Sequence, residues 1–415
     1  MNYLVRGLCC FRNIKFILVL IVIYISNDTS LFGTNESAYY ITINRGILYG
    51  LCGISLLYLL NQNKLSRYYT LLFGVFLCML LTIIMNYNFS GGYIQQFMMI
   101  IIGLYFIEKF SFQEFCSYFE KVVYFLSIIG LIFFTLNIIL GGVQAPLYVT
   151  NSHGAGFSHF FVWANLNNGL DVFRNTSIFR EPGIYMIYII FALLINIYVI
   201  DTNKKHFIIL LVSLISTLST AGIIIGCIVL WLYFNNLKSS KRYSIYLFLI
   251  ILLISVLPLI EQTEYFINVM GKFNPDNDSY ASFMARQSSI FVPLKMAQSN
   301  IFGVGFSSFP NMYESVSYKM YGTPMDIGNS TNSITNMIAR FGWLWGMFYI
   351  RLIYNLANMI SLRSSYKWVV FLVICLCFFN EDIWNSYIFS IFILFGLKRH
   401  YYEKNTYNLS QSNNR

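Results

Sequence analysis

An all-α polytopic membrane protein, with about 12 transmembrane helices and two long outer loops, is the fold class this sequence predicts. Three observations predict it. Only 11 % of the residues are charged and 57 % are hydrophobic, against roughly 25 % charged in an ordinary soluble domain. Apolar runs recur from end to end, and a bilayer crossing takes about 20 such residues. Tyrosine and phenylalanine, 32 and 39 in number, crowd the ends of those runs, where a membrane interface accepts aromatic rings.

The apolar segments fall near 14–28, 43–61, 68–86, 92–107, 121–141, 183–200, 206–219, 221–235, 244–262, 334–355, 368–380 and 385–397. The first follows the basic lead of "MNYLVRGLCCFRNIKFILVLIVIYISN". No small-x-small cleavage site comes after it, so it reads as an uncleaved span. Most Lys and Arg sort to the alternate links 1–15, 62–68, 108–121, 202–206, 236–243, 356–367 and 398–415. By the positive-inside rule these links and both termini are cytoplasmic. The runs 206–235 and 368–397 are basic at both ends, which favours two short spans in each. Ser219-Thr220-Ala221-Gly222 and Asn380-Glu381-Asp382 supply the turns.

The chain then divides into an N-terminal bundle of about five spans (1–141), a first long outer loop (142–182) and central spans (183–262). A second long outer loop (263–333), C-terminal spans (334–397) and a polar cytoplasmic tail (398–415) follow. The net charge of +10 is that of the inner links and does not call for nucleic acid. All eight cysteines lie in apolar segments or their cytoplasmic flanks, so neither a disulfide framework nor a metal cluster is expected.

Chemistry concentrates in the outer loops. "RNTSIFREPGIYMIYIIFALL" sets Arg174 and Arg180 at the lip of an apolar helix. Pro182 suits a first helical position, and Glu181 sits by the positive end of the helix dipole. A helix start with free N–H groups and guanidinium forks is an oxyanion site, and the fork fits phosphate oxygens in pairs. The competing expectation is that these arginines pair with Asp171, Glu181 or lipid headgroups. The second loop carries Arg286 in "FMARQSSIFVPLKMAQSNIFGVGFSSFPNMY", with Gly303 and Gly305 shaping a loop or an ordinary turn. In "GNSTNSITNMIARFGWLWG", Asn332 precedes the tenth span and Arg340 lies about two turns inside it. An intramembrane arginine is costly and faces a polar cavity, whereas Arg45 and Arg351 can snorkel to an interface.

Taken in order, "FREPG", "LSTAG", "ARQSSIF", "SNIFGVGFSSF" and "NSTNSITNMIARFGWLWG" resemble the O-antigen and capsule polymerases of the Wzy type. These belong to the wider O-antigen polymerase/ligase superfamily. Each motif is degenerate; their order and placement between residues 174 and 346 carry the resemblance. It implies a multi-pass glycosyltransferase of the bacterial inner membrane. Such enzymes act at the periplasmic face on oligosaccharide repeats linked to undecaprenyl diphosphate, in lipopolysaccharide or capsule synthesis. They use no nucleotide sugar, metal or other cofactor, and a chain-length regulator is a usual partner.

The resemblance assigns the lipid diphosphate to Arg180 and Arg286, with Arg174 as a helper; Arg340 joins them as a further cation on its intramembrane position. Two departures stand out. Ligases show His-Asn where this chain has Thr331-Asn332, and relatives often carry an arginine where Thr220-Ala221 follow the serine. The first favours a polymerase over a ligase and leaves the base to Glu181, or to His153 and His159 in "NSHGAGFSHFF". The rival class is a flippase for the same lipid-linked sugars, although no half-repeat is visible. Loop aromatics (Tyr148, Phe157, Phe160, Trp163, Phe306, Phe309 and Tyr313) either stack on sugar faces or pack the loops.

Overall fold

The computed structural model describes residues 14–33, 38–87, 89–141, 143, 147–150, 156–160, 162–167, 174–236, 280–362 and 365–398. The apolar segment near 244–262 and all but the first residue of the tail lie outside them.

Helices occupy the apolar runs. The first half holds α1 (Ile14–Tyr24), α2 (Ala38–Asn61), α3 (Tyr69–Asn86), α4 (Gly91–Lys109), α5 (Phe112–Leu140), α6 (Pro182–Tyr198), α7 (Lys204–Ser216) and α8 (Thr220–Asn236). The second half holds α9 (Tyr280–Ser299), α10 (Phe309–Tyr321), α11 (Ser333–Phe341), α12 (Trp343–Ile360), α13 (Lys367–Asn380) and α14 (Tyr387–Phe395). Local chemistry sets their ends. The Ser111 hydroxyl caps α5 by accepting from Glu114 N–H, and Gly141, at φ 64°, terminates it in the left-handed conformation.

Among the described residues, three helices are long and apolar enough to cross a membrane: Ile41–Asn61, Leu65–Asn86 and Phe112–Leu140. Ile54, Leu57, Phe73 and Phe76 on α2 and α3 are each more than half exposed, an outer face that suits lipid rather than water. The architecture is that of an α-helical membrane protein. Its centre is α6, where every side chain from Pro182 to Ile197 is buried. A helix apolar all round belongs in a core, and α5, α7, α8, α12 and α13 pack around it.

Three helix breaks shape the site. Leu218, at φ 48°, separates α7 from α8, and residues 381–386 separate α13 from α14. The third break corrects the expected tenth span: Gly342, at φ 87°, divides it into α11 and α12. No side chain fits there, because a Cβ on Gly342 would lie 2.4 Å from the Ile301 carbonyl oxygen. Arg340 is therefore in the last turn of a short helix, not deep within a long one.

The two expected loops carry structure of their own. In the first, β1 (Leu147–Thr150), β2 (Gly156–Phe160) and β3 (Trp163–Asn167) form an antiparallel sheet in that order. The register pairs Leu147 with His159 and Phe160 with Trp163. Trp163 stacks on Phe133 of α5 at 4.9 Å, which seats the sheet on the helices. In the second, α9 and α10 fold back over the end of α11. Val292, Met296, Val304, Phe309, Tyr313 and Ala339 make a small separate core between them.

Candidate functional site

The site is assembled at the start of α6. Residues 175–179 are buried and are pinned to the turn after α1: Ser30 N–H donates to Ile178 O at 3.0 Å and Arg180 N–H to Asp28 O at 3.0 Å. Glu181 then adopts extended backbone, and Pro182 opens the helix. Arg180 and Glu181 are thereby delivered side by side to the helix start.

Around them stand groups from distant parts of the chain. Arg286 on α9 donates through Nη1 to Asn380 Oδ1. Asn380 in turn donates Nδ2 to Glu381 Oε1 at 3.0 Å. Glu381, only 6 % exposed, lies against Gly183: a Cβ there would be 1.8 Å from Glu381 Oε1. Both Arg180 and Arg286 act electrostatically on Glu381, and Glu181 is within hydrogen-bonding reach of it. Burial and the neighbouring Glu181 push the Glu381 carboxyl above its ordinary range. Arg180 also donates Nη2 to the Asp382 carbonyl at 3.3 Å.

Two supporting layers complete the arrangement. Asp28 Oδ2 accepts from Tyr188 at 2.6 Å, Ser26 at 2.9 Å and Ser386, which fixes the turn that positions Arg180. On the other side, Arg340 is 5 % exposed. Its guanidinium lies 4.4 Å from the Phe309 and Trp384 rings and 5.7 Å from Phe306, a cation–π enclosure. Trp384 Nε1 donates to Asp382 at 3.1 Å, and Asp382 acts on both Arg340 and Arg180. Several buried polar atoms are left without partners: Arg180 Nε, Arg340 Nε and Nη1, and Asp382 Oδ1.

The residues singled out by sequence therefore separate. Arg180, Arg286 and Glu181 come together at Glu381, and Arg340 stands behind Asp382. Arg174 sits elsewhere: it donates to the Thr217 and Leu218 carbonyls at 3.1 and 3.3 Å, where the left-handed Leu218 leaves helix-end oxygens for a cation. Asn332 caps α11, its Oδ1 accepting from the Ile334 and Thr335 N–H groups at 3.0 Å. Gly303 and Gly305 take φ of 81° and 78°, which lets Val304 and Gly305 N–H reach the Ala339 and Arg340 carbonyls at 2.8 and 3.1 Å. His153 lies outside the described residues, as does the side chain of His159, whose backbone belongs to β2. Of the loop aromatics, Phe306, Phe309 and Tyr313 pack inward, the first two against Arg340.

Sequence reasoning missed Asp28, and it took Asn380, Glu381 and Asp382 for turn residues only. The signal was present: ionisable groups inside an apolar run mark a functional site by default. What this arrangement offers chemically is guanidinium donors for an oxyanion beside two carboxyls, Glu381 buried and Glu181 exposed. Comparison of the chain with protein families, with curated proteins and with solved structures finds no match.

Proposed function

We propose that the chain is a polysaccharide polymerase of the bacterial inner membrane, with twelve spans, both termini cytoplasmic and two long periplasmic segments. It moves a growing glycan from undecaprenyl diphosphate to the terminal sugar hydroxyl of a new lipid-linked repeat unit. One observation carries this most: Arg180 and Arg286, far apart in sequence, both donate into residues 380–382 beside the start of α6, to the Asp382 carbonyl and to Asn380 Oδ1.

The chemistry follows from that convergence. Attack by the hydroxyl on the anomeric carbon breaks the bond to the diphosphate, and the developing negative charge falls on oxygens that guanidinium forks hold well. Glu181, exposed beside Arg180, is the group placed to take the hydroxyl proton. Arg340, held by its three rings, adds fixed positive charge behind the site without needing to move.

The test is complementation of a deletion strain with wild type, Arg180→Ala or Arg286→Ala, at matched membrane levels. Each variant is expected to lose polymer by about a hundredfold and to leave single repeat units on the outer side. Long chains from both variants would remove the diphosphate site. Units trapped on the cytoplasmic side after deletion would make the protein a flippase instead.

A further inference from the structure

The charge count at this site leaves a proton to place. Among the described residues three guanidiniums, Arg180, Arg286 and Arg340, share it with four carboxyls, Asp28, Glu181, Glu381 and Asp382. With all of them ionised the site is net negative and repels a diphosphate. Asp28 is occupied by three hydroxyls, and Asp382 lies between two arginines with Trp384 donating to it. Glu381 differs, because the group within its hydrogen-bonding reach is another carboxyl, Glu181. An ionised carboxylate only accepts, so two carboxyls in hydrogen-bonding contact need a proton between them.

Burial decides where that proton sits. Glu381 is 6 % exposed, whereas Glu181 is exposed at the mouth, and desolvation penalises the charge of the buried partner. Oε1 of Glu381 accepts from Asn380 Nδ2 at 3.0 Å, which leaves Oε2 to carry the shared proton. Close approach at Gly183 keeps the carboxyl in place. The unpartnered Arg180 Nε and Arg340 Nε and Nη1 in the adjoining layer mark a site that is unsatisfied without a ligand.

We infer that Glu181 and Glu381 work as a one-proton pair, with buried Glu381 holding the proton and exposed Glu181 serving as the base. The inference rests on the polymerase proposal above. In the reaction, Glu181 takes the proton of the acceptor hydroxyl as that oxygen bonds to the anomeric carbon. The bond from that carbon to the diphosphate oxygen breaks, and its electron pair leaves with the diphosphate. Both carboxyls are then neutral. Arg180 loses the neighbouring Glu181 counter-charge at the moment the diphosphate gains charge, which strengthens its hold in the transition state rather than the ground state. Glu181 afterwards releases the proton to water.

The groups facing Glu381 are Glu181 and Arg180 from the segment before α6 and Arg286 from α9, with Asp28, Asp382 and Arg340 in the next layer. The experiment measures chain elongation against pH by the full-length protein in proteoliposomes. Lipid-linked repeat units extracted from cells lacking the protein serve as substrate, and wild type, Glu381→Gln, Glu381→Ala and Arg286→Ala are compared.

Wild-type elongation should fall as pH rises and Glu381 gives up its proton. Glu381→Gln donates but does not titrate; it should run about tenfold slower and lack that alkaline limb, while Glu381→Ala should lose about a hundredfold. The same alkaline limb in wild type and Glu381→Gln, or a wild-type rate from Glu381→Ala, overturns the pair. Should Glu381→Ala fail to fold, the limb in Glu381→Gln decides alone. Arg286→Ala separates the two proposals. If wild type itself elongates nothing the polymerase proposal falls; if Arg286→Ala elongates normally the diphosphate site falls; if Arg286→Ala is inactive while Glu381→Gln keeps the limb, only the proton pair falls.

Discussion

Two glutamates in this molecule are buried among cations, and they are treated in opposite ways. Glu108, at the end of α4, has both oxygens occupied. Oε1 meets Lys398 at 2.6 Å and Tyr68 at 2.5 Å, and Oε2 faces Lys64 at 3.6 Å and Arg67 at 3.9 Å. Those contacts join the link after α2, the end of α4 and the end of the C-terminal helix. Glu381 sits amid comparable charge, yet Arg180 Nε, Arg340 Nε and Nη1, and Asp382 Oδ1 around it are buried with no partner. Saturation is what a structural rivet needs. A buried polar atom without a partner costs free energy, and a cluster of them is tolerated where something else completes it.

Substitutions can break this contrast or sharpen it. The largest effect on stability is expected at Glu108: Glu108→Ala removes the shared partner of Lys64, Lys398 and Tyr68 and should destabilise the protein by about 2 kcal/mol. A lower Tm in detergent, with normal elongation per folded molecule, is the expected result. A selective loss of activity would show that Glu108 is more than a rivet. Arg340→Met should do the reverse, leaving stability within about 1 kcal/mol of wild type in the same melt because it removes an incompletely partnered buried cation. Elongation should drop about tenfold, as a fixed charge behind the diphosphate is lost. If Arg340→Met instead unfolds the protein, the outer cluster is structural too. The smallest effect belongs to Arg67, 63 % exposed at the edge of the Glu108 group. Arg67→Ala should cost less than about 0.5 kcal/mol, checked by the same melt.

Much of this was legible in residue order, and the rest fails to be for a physical reason. The helix start at Pro182 is readable because proline and the preceding acidic residue act locally. The breaks near Leu218 and at 381–386 are readable because polar residues interrupt apolar runs. Arg180 could be nominated from its place at a helix start, and Arg286 only through the resemblance. Their meeting point could not, since it depends on residues 28, 183 and 380–382 converging through packing. Gly342 was invisible for a different reason: "ARFGWLWG" reads as continuous apolar helix, and only the close passage of Ile301 explains why a glycine is required there.

The joint at Gly342 also bears on how such a chain can be recombined. Residues 301–305 are zipped to the end of α11 by main-chain bonds from Val304, Gly305 and Trp343. They are anchored from the far side by Asn86 Nδ2 on the Gly303 carbonyl and Thr82 Oγ1 on that of Phe302. Neither Gly303 nor Gly342 has room for even a methyl group. Exchanges of these segments between related chains therefore need crossover points outside 300–305 and 339–343. The exposed face of α10, bearing Glu314 and Tyr318, can vary freely on top of a seam that cannot.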